Sequence, residues 1–172
     1  MSMDNILLIS EDLLKSETIV NDNINSQSIT PSILIAQEIG LQQVIGTKLY
    51  KKILTLVDED TINDDVNVNY KILLDTYIRP YLVNKSISDL VYNLTFKLRQ
   101  IGAVQLSDDK IITLQLNNLM FLKQRYDNKA SYYSILLYNY IKHNKSKYPE
   151  FSSTKCYEIS GGYDFDNIPI NI

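Results

Sequence analysis

Apolar residues recur along most of this chain every three or four positions, with short polar breaks between the runs, and that spacing predicts helices. Residues 1–29 read as an N-terminal arm. Within it Ser10 stands ahead of Glu11, Asp12, Leu13 and Leu14. A capping hydroxyl followed by two acids predicts one short helix, because acids complement the positive end of the helix dipole. Asn21, Asp22, Asn23, Asn25, Ser26 and Ser28 then predict a polar loop. Thr30-Pro31 predicts the next helix start: Thr caps free backbone donors, and Pro is preset at the first helical position. That helix carries Leu34, Ile35, Ala36, Ile39 and Leu41. A break is expected at Val44-Ile45-Gly46-Thr47, with Thr47 capping a helix that carries Leu49, Tyr50, Ile53, Leu54 and Val57.

Residues 58–67 are acidic and polar and predict an exposed loop. A helix is expected from Val68, with Ile72, Leu73, Tyr77 and Ile78 on one face. Pro80 is expected to interrupt it, since Pro lacks the backbone donor and clashes with the preceding turn. Another helix spans Tyr81 to Leu98 with Leu82, Ile87, Leu90, Val91, Leu94 and Leu98, and Gly102 ends it. Residues 102–106 (GAVQL) predict a short extended segment.

Ser107-Asp108-Asp109 opens the longest element. Ile112, Leu116, Leu119, Leu122, Tyr126, Ala130, Tyr133, Leu137 and Tyr140 form one unbroken stripe. The stripe predicts a helix of roughly 35 residues, about 50 Å long. Such a helix is long for a small domain, so it is expected to project or to be flanked by something outside its own chain. Lys142, Lys145 and Lys147 suit its C-terminal end, and Pro149 stops it. The expected fold is all-α: a small helical bundle over 30–149 with one long C-terminal helix and irregular arms over 1–29 and 150–172.

Composition narrows the chemistry. The 172 residues carry 17 Lys and Arg against 20 Asp and Glu, a formal charge of −3. That balance argues against a dedicated nucleic-acid binder, which carries a basic excess. One His (His143) and one Cys (Cys156) cannot make an intrachain disulfide or a structural zinc site. His143 has cations and Asn as sequence neighbours and reads as a surface residue at a helix end. Cys156, with only Lys155 beside it, reads as passive. No phosphate-binding loop is visible. The acids Asp58, Glu59, Asp60, Asp64 and Asp65 fail the EF-hand pattern, with Ile62 at the third ligand and Asn63 where Gly is needed. No catalytic, cofactor or metal residue is therefore expected, nor an enzyme. Residues 1–10 have an early acid and a short apolar run, so no signal peptide is expected, and no window approaches a membrane span.

Aromatic area comes almost wholly from tyrosine: 13 Tyr against 4 Phe and no Trp. Tyr suits interfaces because it buries area while its hydroxyl meets water or a partner. Tyr132 and Tyr138 fall off the long stripe, and Tyr157 and Tyr163 lie in the C-terminal arm. All four are expected against another subunit. The arm beyond residue 150 adds Ile159, Phe165, Ile168 and Ile170. It is too apolar for a solvating tail and too broken for its own core. It either docks on another surface or folds back on its own domain.

One local pattern offers a different class of function. Ala36, then Gly40 and Leu41, followed by Val44 and Ile45, is the skeleton of a helix-turn-helix. On this alternative residues 33–52 read DNA, through Gln42, Gln43, Thr47 and Lys48.

Several stretches in order carry a family resemblance. Ile29-Thr30-Pro31-Ser32-Ile33 runs through Ala36-Gln37 to Ile45-Gly46-Thr47-Lys48-Leu49-Tyr50-Lys51-Lys52-Ile53-Leu54. Gly102-Ala103-Val104 precedes the capped long helix. Near its end come Tyr126 to Tyr133, Leu137-Tyr138-Asn139-Tyr140-Ile141, Asn144 and Tyr148-Pro149-Glu150-Phe151. Together they resemble the head–tail connector (neck ring or adaptor) proteins of tailed phages, most nearly the neck proteins of Bacteroidales phages including the crAss-like group. The resemblance covers roughly residues 15–151. It implies a helical adaptor with no catalytic residues, forming a homo-oligomeric ring, commonly twelvefold, beneath the portal protein. Such a ring touches other neck or tail proteins, and genomic DNA passes through its lumen with only transient contact. The implied location is the virion neck, after assembly in the host cytoplasm. The acidic loop Asp58–Asp65 would suit such a lumen, because repulsion lets DNA slide.

Overall fold

The structure, a computed structural model, describes residues 6–17, 26–102 and 109–151, with the backbone alone for Ser26, 94–102 and 109–116. Among them every regular element is helical: α1 (Glu11–Glu17), α2 (Ser26–Ile35), a π-helical segment (Ala36–Leu41), α3 (Gln42–Ile45), α4 (Thr47–Asp58), a 3-10 turn (Asp65–Asn67), α5 (Val68–Ile72), a second π segment (Leu73–Ile78), α6 (Arg79–Gly102), α7 (Asp109–His143) and a last 3-10 turn (Lys145–Lys147). The expected all-α bundle with one long C-terminal helix is what forms.

The N-terminal arm contributes to the core. Ser10 caps α1 as expected, its Oγ accepting from the Leu13 N–H at 3.1 Å. Leu8, Ile9 and Leu14 are buried. Buried Gln37 clamps the segment: its Oε1 accepts from the Leu8 N–H at 3.2 Å and its Nε2 donates to the Ile6 carbonyl at 2.7 Å. An unpaired amide there would cost about 1–3 kcal/mol, so the pairing fixes where the segment entering α1 lies.

Two proline expectations are corrected. The second helix begins at Ser26, and Pro31 sits inside it. Starting a turn early buries Ile29 directly ahead of Ile33. The Thr30 hydroxyl, expected as a cap, instead donates to the Glu11 carboxylate. Nor does Pro80 interrupt its helix. The residues just before it form the second π segment, where the Arg79 N–H reaches back five residues to the Leu74 carbonyl. The wider turn relieves the clash that a proline ring makes with a regular helical turn.

That continuity gives α7 a partner within the chain. From 68 to 102 the backbone is helical throughout, a span of 35 residues, equal to the 35 of α7. The two run antiparallel: Ser88 bonds to Asp127, and Tyr77 stacks on Tyr140 at 4.1 Å. One side of the long helix, expected to need something from outside the chain, is thus covered from within. Tyr126, Ala130, Leu137 and Ile141 are buried there.

Residues 36–41 remain helical, so Gly40 makes no turn. It is needed for close packing instead: a Cβ there would lie 2.5 Å from the Tyr81 hydroxyl oxygen. The bend falls at Gly46, whose φ of 78° favours glycine. Thr47 is then the first residue of α4, its Oγ1 accepting from Gln42 Nε2 at 2.9 Å. Leu49, Tyr50, Ile53 and Leu54 are buried as the spacing predicted. In the next helix Leu73 and Ile78 are buried, while Ile72 is exposed and Leu74 takes the core position. Gly102 closes α6. Residues 103–106 of the expected extended segment, and the Ser107-Asp108 start of the long helix, lie outside the described residues.

Candidate functional site

The surface of α7 facing away from the core is itself apolar. Phe121 is 77% exposed and Tyr132 60%, with Met120, Ile135 and Leu136 also exposed. Phe121 and Tyr132 are eleven residues apart, about three turns, so they share a face; Ile135 and Leu136 continue it one turn on. Exposed Arg125 and Lys129 lie between them. The only carboxylate among the described side chains of α7 is Asp127, which is turned toward α6, where it accepts from Ser88 Oγ and pairs with Lys123. The outer face therefore combines apolar area with positive charge and no acid.

A second exposed apolar set lies elsewhere, beside the acidic loop. Val66 is 83% exposed, and Val68 and Ile72 follow it on α5. Asp58, Glu59, Asp60, Asp64 and Asp65 are all exposed around it, and none forms an ion pair with a described residue. The loop has a fixed shape: Ile62 is buried, and Asn67 Nδ2 donates to the Thr61 carbonyl at 2.9 Å. This region adjoins the C-terminal end of α7, because the Tyr148 hydroxyl donates to the Asn69 carbonyl at 3.0 Å and the Tyr70 hydroxyl to the Glu150 carboxylate at 2.9 Å. Phe121 precedes Tyr140 by 19 residues, which places it about 28 Å back along the helix.

Of the residues expected at contacts, Tyr132 is on the outer face. Tyr138 is half-buried, edge-on to Phe151 at 5.9 Å, with Lys142 over its ring. Tyr157, Ile159, Tyr163, Phe165, Ile168 and Ile170 lie outside the described residues, as does Cys156. His143 is exposed at the end of α7, its Nδ1 2.7 Å from the Asn139 carbonyl oxygen. Phe121, Met120, Ile135 and Leu136 were missed by the sequence reading. Their signal was present as apolar residues falling between the positions of the core stripe.

A cleft of about 680 Å³ opens between the first π segment, α6 and α7. Ile39, Val44, Tyr81, Ala130 and Ile135 supply its apolar lining, and Lys85, Lys123 and Asp127 its charge. Burial raises the Asp89 carboxyl above its ordinary range against the opposing pull of Lys85. Burial also acts to raise Asp127, but hydrogen bonds from Lys123 and Ser88 outweigh it and hold that carboxyl low. Lys85 pairs with Asp89 within α6 and Lys123 with Asp127 within α7, and the Ser88 hydroxyl links Asp127 across to α6.

The tyrosines concentrate where α5 meets the end of α7. Tyr148 is fully buried, edge-on to Tyr70 at 5.7 Å. Burial pushes the Tyr70 hydroxyl up to about 12, with its Glu150 partner adding to the shift. Burial raises Tyr148 as well, reinforced by Tyr140. Neutral phenols locked in this way bind the two ends of the fold together. Among the described residues no group of three or more His, Cys, Asp or Glu could hold a metal ion, and no helix is long and apolar enough to cross a membrane.

Fold and surface together define an all-α helical bundle with exposed apolar faces. The chain belongs to DUF6712, a family of unknown function whose model matches residues 41–161. No curated protein and no solved structure matches the chain.

Proposed function

We propose that this chain is a virion structural protein that forms a ring in the neck of a tailed phage. The ring joins portal and capsid to the tail, and DNA passes through its lumen. The observation that carries the reading is the outer face of α7. A helix that is apolar on its core side and again on its solvent side is built to be covered twice. The antiparallel 68–102 helix supplies one cover, and a neighbouring subunit supplies the other. A ring also needs two unlike surfaces on each subunit, since a head-to-tail contact closes by rotation. The α7 face and the Val66–Ile72 region are two such surfaces. The resemblance of residues 29–54 and 126–151 to neck proteins supports the location and suggests twelve copies. In this role the chain acts by contact, without catalytic residues or cofactor, and reaches the virion after assembly in the host cytoplasm.

Mass photometry and negative-stain electron microscopy of the purified full chain, alone and with portal particles, test the reading. Closed rings, or a ring seated on the portal, are expected. A protein that stays monomeric at every concentration and never joins the portal overturns it.

A further inference from the structure

Two of the exposed apolar regions among the described residues carry opposite charge, one on α7 and one at the start of α5. The outer face presents Phe121, Tyr132 and Leu136 with Arg125 and Lys129. The other region presents Val66, Val68 and Ile72, with exposed Lys71 among them and the five exposed acids Asp58, Glu59, Asp60, Asp64 and Asp65 in the loop that leads into it, so that acids outnumber the one cation. Their centres lie apart: the acidic region is held against Tyr148 and Glu150 beyond the end of α7, whereas the outer face begins at Phe121, about 28 Å back from Tyr140 along that helix, and ends at Leu136, one turn short of it. We infer that the two regions are complementary halves of one interface, so that the outer face of α7 docks on the acidic Val66–Ile72 region of a second copy of this chain.

The inference specifies the contact of the proposed ring and rests on that reading. Three features support it. Each region is apolar at its centre, where burial drives association, and charged at its margin, where charge sets orientation. The signs are opposite, so copies meeting through two identical faces would repel, and only the unlike pairing is favoured. That makes the contact heterologous, the kind that builds closed rings. The loop that carries the acids is held by buried Ile62 and the Asn67–Thr61 hydrogen bond, so it presents its carboxylates without a large ordering cost. The assignment also moves these acids out of the lumen, where their charge alone had suggested they belong.

The test uses two variants of the full chain, both altered only at exposed residues. One carries Phe121→Ser with Tyr132→Ser. The other carries Asp64→Lys with Asp65→Lys and Val66→Ser. Sedimentation velocity is run on each alone and on their mixture, with thermal melts to confirm that both fold. Each variant alone is expected to lose self-association by on the order of a hundredfold in dissociation constant. Each still keeps one intact face, so the mixture is expected to form a one-to-one dimer and nothing larger. If wild-type chain assembles and both variants assemble equally well, this pairing is wrong while the ring reading stands. If both variants lose assembly but their mixture stays monomeric, the contact is not head-to-tail and the inference also fails. Wild-type chain that never self-associates, alone or on a portal, removes the ring and the pairing together.

Discussion

The two sides of α7 repeat one spacing and meet different fates. Tyr126, Ala130, Leu137 and Ile141 step by four, seven and four residues, and all are buried. Phe121, Arg125, Tyr132 and Leu136 step by the same intervals five residues earlier, about 140° round the helix, and all are exposed. The inner set meets α6 and the second π segment, and it is made of apolar residues throughout. The outer set keeps one cation in four. Hydrophobic spacing alone thus marks both faces as suited to contact. What separates them is that the chain covers one of them itself.

Substitutions on the two faces should therefore part cleanly. Leu137→Ala empties a site with no exposure and should cost about 2–5 kcal/mol of folding stability in urea titration. Gly40→Ala tests how closely the first π segment is held against α6. The added methyl meets the Tyr81 hydroxyl oxygen, and a loss of about 1–3 kcal/mol is expected by the same titration. Alkaline pH acts on the inner packing too. Burial, with the Glu38 carboxylate, raises the Tyr50 hydroxyl from 10.0 to about 12. The folded pKa lies above the unfolded one, so this contribution is complete below about pH 10 and lost as pH rises through 12. Tyr50→Phe should flatten the alkaline fall in melting temperature across that window, and an unchanged slope would count against the burial of the neutral phenol. On the outer face, Phe121→Ala should change stability by less than about 0.5 kcal/mol.

Much of this architecture was legible in the sequence. The length of α7 followed from an unbroken stripe, and the bend at Gly46 and the Ser10 cap followed from local chemistry. Pro31 and Pro80 misled for a shared reason. A proline's local cost is readable from sequence, whereas the burial of Ile29 and the π turn before Arg79 that offset it depend on long-range packing. Gln37 could not be singled out, because a glutamine clamping a distant backbone looks like any other polar residue in a helix. The outer face escaped for a different reason. Spacing shows which residues share a side of a helix, but not which side the rest of the chain will cover. With Pro80 read as a break, the 35-residue partner of α7 was split into two shorter helices, and the long helix was expected to project or to be flanked from outside its own chain. Of the expected contact residues Tyr132 is exposed on the outer face, and Phe121, the most exposed apolar side chain among the described residues of the helix, was among those overlooked.

The central claim is that the outer face of α7 is covered by another subunit. Hydroxyl-radical footprinting of the full chain, diluted and then concentrated or seated on portal particles, reads it side chain by side chain. Phe121 and Tyr132 should label readily in the dilute state and become protected on assembly, while buried Tyr126 and Tyr148 stay protected throughout. Equal labelling of Phe121 and Tyr132 in both states would contradict the account.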